Sequence, residues 1–245
     1  VGGPTEVKPA KPLGDGQGRA KGGGGNGTQK CRQMCDQFVL LCRYNVIAKY
    51  TKEVKRMNVE LTELVFILDR SGSMNGLESD TIGGFNGMIS KQKAEGEKVN
   101  VTTVLFDDEA EIIHDRFPID IIEPLTDKEY YVRGCTALLD AVGQSIKKIE
   151  NVQKHLSDEH KAGKVIFVIT TDGLENSSVE YGYNDIKKMI EAKKECGWEF
   201  LFLGANIDAG KEAEKMGIAR ERAATYENDC KGVAINYETV GRTVM

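Results

Sequence analysis

The chain reads as an α/β protein: a mostly parallel central sheet covered on both faces by helices, with one antiparallel edge strand. Three observations predict this. The runs "LTELVFILD", "KVIFVITTD" and "WEFLFLGA" are continuously apolar, as strands buried on both faces are. Segments with apolar residues at three- and four-residue intervals separate them. One pair of runs, "VNVTTVLFD" and "EAEIIHDRF", is close enough in sequence to form a hairpin.

Residues 1–30 are rich in Gly, Pro, Lys and Gln around "KGGGGNG" and cannot bury enough apolar area to offset their ordering entropy, so they read as a disordered linker. Their glycines are not a phosphate loop, because no Gly-Lys-Ser/Thr ending follows and no strand precedes. An N-terminal helical segment, 31–58, follows, with Met34, Cys35, Phe38, Leu41, Cys42 and Ile47 at helical spacing. Cys31, Cys35 and Cys42 lack a nearby fourth ligand, which favours helix packing over a metal cluster. The globular domain occupies 59–245.

Within that domain "LTELVFILD" is a fully buried strand. Residues 77–93 follow as a helix carrying Leu77, Ile82, Phe85, Met88 and Ile89. After the hairpin a helix from about Thr136 to His155 presents Leu138, Leu139, Val142, Ile146 and Ile149 on one face. "KVIFVITTD" is the next strand. Asn184 can cap a helix through Ile186, Met189 and Ile190 that stops at Gly197. "WEFLFLGA" follows, and Asp208 can cap a short helix ending at Gly217.

Composition narrows function. The formal net charge of −5, from 33 basic and 38 acidic side chains, leaves no basic footprint for nucleic acid. The apolar stretch "FVLLCRYNVIA" is too short to span a bilayer and is broken by Arg43. Six cysteines scattered through a long chain favour a reducing compartment, with Cys135 and Cys196 as free thiols. The chain opens on Val1, which reads as a fragment whose upstream part, with any targeting signal, is missing.

In an open α/β sheet, ligands bind beyond the carboxyl ends of the strands. Asp69 ends the first strand in "FILDRSGSMNG", and Asp172 ends "VFVITTD" in the strand expected beside it. Thr136, in "GCTALLD", faces the same edge from a helix start, and Ser71 and Ser73 alternate around Gly72 so that both point one way. Asp69, Ser71, Ser73, Thr136 and Asp172 are thus hard oxygen donors without sulfur or imidazole, a set suited to Mg²⁺, Mn²⁺ or Ca²⁺. The turn Asp107, Asp108, Glu109 is expected to be a solvated hairpin turn, and Glu175 and Asn176 an exposed polar loop. His114, His155 and His160 show no ligand spacing and read as surface or edge residues.

"DRSGS", Thr136 in "GCTALLD" and Asp172 in "TTDG" resemble the metal-ion-dependent adhesion site (MIDAS) of von Willebrand factor A (vWA) domains, over roughly residues 59–245 and in the order of elements. The resemblance implies a doubly wound, Rossmann-like sheet with a divalent ion, usually magnesium, at its top. It carries over Asp69, Ser71, Ser73, Thr136 and Asp172 as the metal set. It also implies a partner protein whose Asp or Glu completes the coordination, and a cytoplasmic stand-alone member as found in bacteria and phage. Cys135 stands where a second glycine is common in the family, and removes no ligand.

The expected function is therefore a non-catalytic, metal-dependent protein-binding module. The rival is a metal-dependent phosphohydrolase using Asp69 as nucleophile. That chemistry wants a second carboxylate two residues on, where Ser71 stands, and a cation for phosphate, which no comparable loop supplies. A dinucleotide site is excluded because "DRSGSMNG" replaces the glycine-rich turn, and no G-x-S-x-G elbow supports a serine hydrolase.

Overall fold

The computed structural model describes residues 58–205 and 207–226. The expected linker, all but the last residue of the N-terminal helical segment with Cys31, Cys35 and Cys42, and residues 227–245 with Cys230 lie outside the described residues.

β1 (Asn58–Asp69) is followed by α1 (Glu78–Glu95), β2 (Lys98–Phe106), β3 (Ala110–Pro118), α2 (Leu138–His155), β4 (Ala162–Thr171), α3 (Tyr183–Glu195), β5 (Glu199–Ala205), α4 (Ala209–Lys215) and β6 (Ala223–Tyr226). They build one six-stranded sheet in the order β3-β2-β1-β4-β5-β6. Every neighbouring pair is parallel except β2 with β3. The α/β class and the antiparallel edge strand stand as expected. Asn58, placed above in the helical segment, belongs to β1. β6 has no counterpart in the expectation, because four residues, Ala-Ala-Thr-Tyr, carry too little pattern to read.

β1 is central because its sequence can be buried on both sides. Leu64, Phe66 and Leu68 pack on one face with Phe85, Met88 and Ile89 of α1. Val65 and Ile67 pack on the other with Val142, Ile146 and Ile149 of α2 and Ile186 and Ile190 of α3. The period of two that sends alternate side chains to opposite faces supplies both half-cores from one run. Phe66 and Phe85 meet edge to face with ring centroids 5.0 Å apart, which fixes α1 over β1. α3 starts at Tyr183 with Gly182 as its cap, so Asn184 lies inside the helix and does not cap it. Gly197, with φ +84°, lets the chain leave that helix toward β5. Asp208 caps α4 as expected, accepting from the Lys211 N–H at 3.2 Å.

β1 connects to β2 on one side and pairs with β4 on the other, so the sheet order reverses between β1 and β4. The crevice beyond their carboxyl ends is where such sheets bind ligands. Among the described residues no helix is long and apolar enough to cross a membrane.

Removing a ring from this core should be costly. Phe66→Ala is expected to destabilise by about 3–5 kcal/mol in urea unfolding, whereas Val179→Ala, at a side chain 91% exposed, stays within about 0.5 kcal/mol. Equal losses would show that the helix–sheet core does not carry the stability.

Candidate metal centre

β1 ends in a carboxylate that has no access to solvent. The Asp69 side chain turns the chain by accepting the Ser71 N–H at 2.7 Å on Oδ1. Its Oδ2 accepts the Thr171 hydroxyl from the end of β4, and its main-chain carbonyl accepts the Tyr130 hydroxyl. A single 3₁₀ turn, Gly72–Met74, follows, and buried Met74 and Leu77 anchor the loop into the core beneath.

The structure brings the five sequence-predicted residues together. Ser71 Oγ lies 3.0 Å from Ser73 Oγ, and the Thr136 hydroxyl donates to Ser71 Oγ at 3.0 Å. The Ser73 hydroxyl is also close enough to Asp172 to favour its ionised form. Gly173 permits this closeness, since a Cβ there would stand 2.8 Å from Ser73 Oγ and 3.2 Å from Thr136 Oγ1. Asp69, Ser71 and Thr136 are buried, Asp172 is half-buried and Ser73 is exposed, so the cluster opens to solvent on one side.

Both carboxyls are held above the ordinary range. Burial pushes Asp69 up to about 6, against the hydrogen bonds from Thr171 and Ser71 and with the nearby Asp172 adding to the rise. Burial also raises Asp172, opposed by the Ser73 hydroxyl. Asp172 Oδ1 is buried and has no hydrogen-bond partner. No group of three or more His, Cys, Asp or Glu suited to a metal stands among the described residues, so hydroxyls must supply part of any ligand set here. Two carboxylates and three hydroxyls around an unanswered carboxylate oxygen fit a hard divalent cation.

Thr136 is positioned from two sides. Gly72 N–H reaches Gly134 O at 3.1 Å, and Arg133 N–H reaches Arg70 O at 2.8 Å, tying the Thr136 loop to the serine loop. Gly134, with φ +67°, is required there, because a Cβ would fall 1.8 Å from Asp108 Oδ1. Cys135 is exposed and donates its N–H to the same Asp108 oxygen at 3.2 Å. On the other side Thr136 N–H donates to Asn176 Oδ1 at 3.0 Å, and Asn176 N–H returns a bond to Thr136 O at 3.1 Å.

Two expectations from the sequence need correction. Asp107 is not in a solvated turn: it is buried, and its Oδ2 takes Arg70 Nε at 2.7 Å and Arg133 Nε at 2.6 Å. Glu175 and Asn176 are not merely an exposed loop. Glu175 accepts the Leu139 N–H at 2.9 Å, and Ser178 Oγ accepts the Asp140 N–H at 3.1 Å, so this loop caps the amino end of α2, whose own cap position is Ala137. One signal pointed to Asp107: Arg70 lies between Asp69 and Ser71, and an arginine in a buried loop requires a carboxylate. His155 and His160 are bound only at the surface, while His114 on β3 is half-buried against Thr103 Oγ1 at 3.0 Å and stacks on Phe85.

No family model matches the chain, and no curated protein does. Solved structures do. A von Willebrand factor type A protein from Catenulispora acidiphila superimposes with a TM-score of 0.53 at 16% identity, over 76% of this chain and 43% of that one. The vWF domain of the type V pili tip protein Mfa5 from Porphyromonas gingivalis gives 0.53 at 10% identity, over 76% and 95%. Manganese-loaded Plasmodium vivax TRAP protein gives 0.52 at 15% identity, over 72% of each chain. This chain thus spans less than half the length of the Catenulispora protein and nearly all of the Mfa5 domain. At these identities the likeness is one of architecture, and the architecture is that of the von Willebrand factor A domain.

Proposed function

We propose that this chain is a divalent-metal-dependent protein-binding module, in which Asp69, Ser71, Ser73, Thr136 and Asp172 hold Mg²⁺ or Mn²⁺ and a partner's Asp or Glu completes the coordination. The observation that carries this reading is the hydroxyl cluster beside the buried, unpartnered Asp172 Oδ1, at the solvent-open edge of the switch point. A bound cation would supply the positive charge that the buried Asp69 and half-buried Asp172 carboxyls lack, and would attract an anionic oxygen from outside. The residues of the chain do the rest. Ser71 and Thr136 orient their oxygens through each other, Thr171 and the Ser71 N–H hold Asp69, and Ser73 keeps the exposed side shaped for an incoming carboxylate. A manganese-loaded protein among those of the same fold supports the choice of ion. That the compared structures include the vWF domain of a type V pili tip protein supports a binding role. The phosphohydrolase alternative is disfavoured, because Arg70, next to Asp69 in the chain, is engaged through Nε and Nη1 by Asp107 and Glu111. Cytoplasmic residence belongs to the same proposal and rests on the resemblance to stand-alone members of the family; a defined disulfide at Cys135 or Cys196, both free among the described residues, would overturn it.

Calorimetry tests the ion. The chain is expected to bind Mg²⁺ or Mn²⁺, and Asp69→Ala or Asp172→Ala to lose it with circular dichroism unchanged. Undiminished binding in both variants would remove these residues from the site.

The pH dependence follows in sign. Because Asp69 is raised from 3.8 to about 6 in the fold, the metal-free protein carries its full contribution below the unfolded value and loses it as pH rises through about 6. The difference corresponds to at most about 3 kcal/mol. Mg²⁺ is therefore expected to raise the melting temperature at pH 7.5 but not at pH 4.5, and Asp69→Asn to raise the metal-free value at pH 7.5 while abolishing the response to the ion. An ion effect of equal size at both pH values would contradict the assignment.

For the partner, affinity capture in Mg²⁺ against chelator is the discriminating measurement. Capture should fail in chelator and in Ser71→Ala and Thr136→Ala, and depend on one acidic residue of the captured protein. A partner held equally well in chelator would refute the mechanism.

A further inference from the structure

We infer that Asp107, which is no ligand in the proposed site, is the positioning residue that sets the spacing between its two ligand loops. The inference rests on the metal-binding reading for its consequence, but its geometry is independent of any ion. Asp107 is buried at the end of β2, one strand away from Asp69. Its Oδ2 takes two guanidinium groups at once, Arg70 Nε at 2.7 Å and Arg133 Nε at 2.6 Å. Its Oδ1 takes the Glu109 N–H at 3.0 Å, and its main-chain oxygen takes the Ala137 N–H at 2.8 Å.

Three of these partners belong to the two loops that carry the oxygen cluster. Arg70 lies between Asp69 and Ser71, Ala137 follows Thr136, and Arg133 precedes Thr136 by one short turn. One side chain therefore holds the serine loop and the threonine loop at a common point, and the Ser71–Thr136 contact of 3.0 Å forms where they meet. The pairing also disposes of charge. Arg70 places its other arm on Glu111 at 2.7 Å, and both guanidinium groups lie 5.8 Å from the Tyr131 ring. Burial raises the Asp107 carboxyl, but the hydrogen bonds from Arg133, the Glu109 N–H and Arg70 outweigh it, so the group stays ionised. Two cations that would repel a metal ion are thereby bound away from it. Outer residues that orient ligands in this way commonly govern affinity by about ten- to a hundredfold.

The test uses the full chain, Mn²⁺ as probe and two readouts. Free Mn²⁺ measured by electron paramagnetic resonance gives affinity; hydrogen exchange of the metal-free protein gives loop order. Asp107→Asn keeps the size of the side chain and removes its charge. It is expected to weaken Mn²⁺ binding by about tenfold or more, and to speed exchange at the Gly72, Arg133 and Ala137 amides while those of β1 and β4 stay protected. Arg133→Gln, at a partly exposed side chain that should leave folding intact, is expected to weaken binding less. The two losses should not add, since both act through the same carboxylate. Glu63→Gln serves as the control for a buried charge lost elsewhere in the sheet, because it disturbs the Arg116 pair but should leave Mn²⁺ affinity alone. Unchanged exchange at the three amides, additive losses, or an equal loss of affinity in Glu63→Gln would overturn the inference. If the unaltered chain bound no Mn²⁺, the metal reading would fall, and the exchange measurement alone would still decide whether Asp107 holds the loops.

Discussion

Asp69 is wholly buried at the end of the central strand, and an ionised carboxyl in such a place costs several kcal/mol unless something answers its charge. The surrounding structure supplies only part of that answer. A hydroxyl from β4 and an N–H from the following loop reach the two carboxyl oxygens, both neutral donors, and among the described residues no cationic side chain pairs with it. A second carboxyl, Asp172, stands nearby with one oxygen unmet. The arrangement conserves negative potential at the one point of the sheet where the connections diverge.

That outcome depends on where the arginines go. Arg70 is the residue next to Asp69 and is almost fully buried, so it could have neutralised the site outright. It points instead to Asp107 and Glu111. Charge is thus segregated within a few residues: cations and their carboxylates to one side of the loop, oxygen donors to the other. Desolvation sharpens the separation, because fields from the buried Asp69 are weakly screened.

Most of the architecture is visible in the sequence because it rests on local pattern. β1, β4 and β5 announce themselves as continuous apolar runs, and α2 by its single apolar stripe. The end of β1 is legible for the same reason, since Asp69 interrupts such a run and Ser71 and Ser73 follow in alternation. What stayed hidden depends on residues far apart in the chain. Asp107 meets Arg133 26 positions later and Arg70 37 positions earlier, and nothing in "FDDEAE" separates a hub from a turn. The cap of α2 comes from Glu175 and Ser178, more than thirty residues downstream, so "CTALLD" shows a helix start without its hydrogen-bond acceptors. β6 is held by its pairing with β5 and carries no signal of its own.

The borrowed cap on α2 has a consequence for anyone redesigning the binding face. The β4–α3 loop forms part of the rim of the site, and such loops are the natural targets for altering recognition. Here the loop is also the acceptor for a helix end, with Glu175, Asn176 and Ser178 committed to α2 and Thr136, and Asp140 holding the N–H groups of Val179, Glu180 and Tyr181 in return. Its length and those polar positions are fixed by the helix. The variable alphabet of this face lies in side chains that project from the loop without bracing it, among them Leu174 and Val179, which are 59% and 91% exposed.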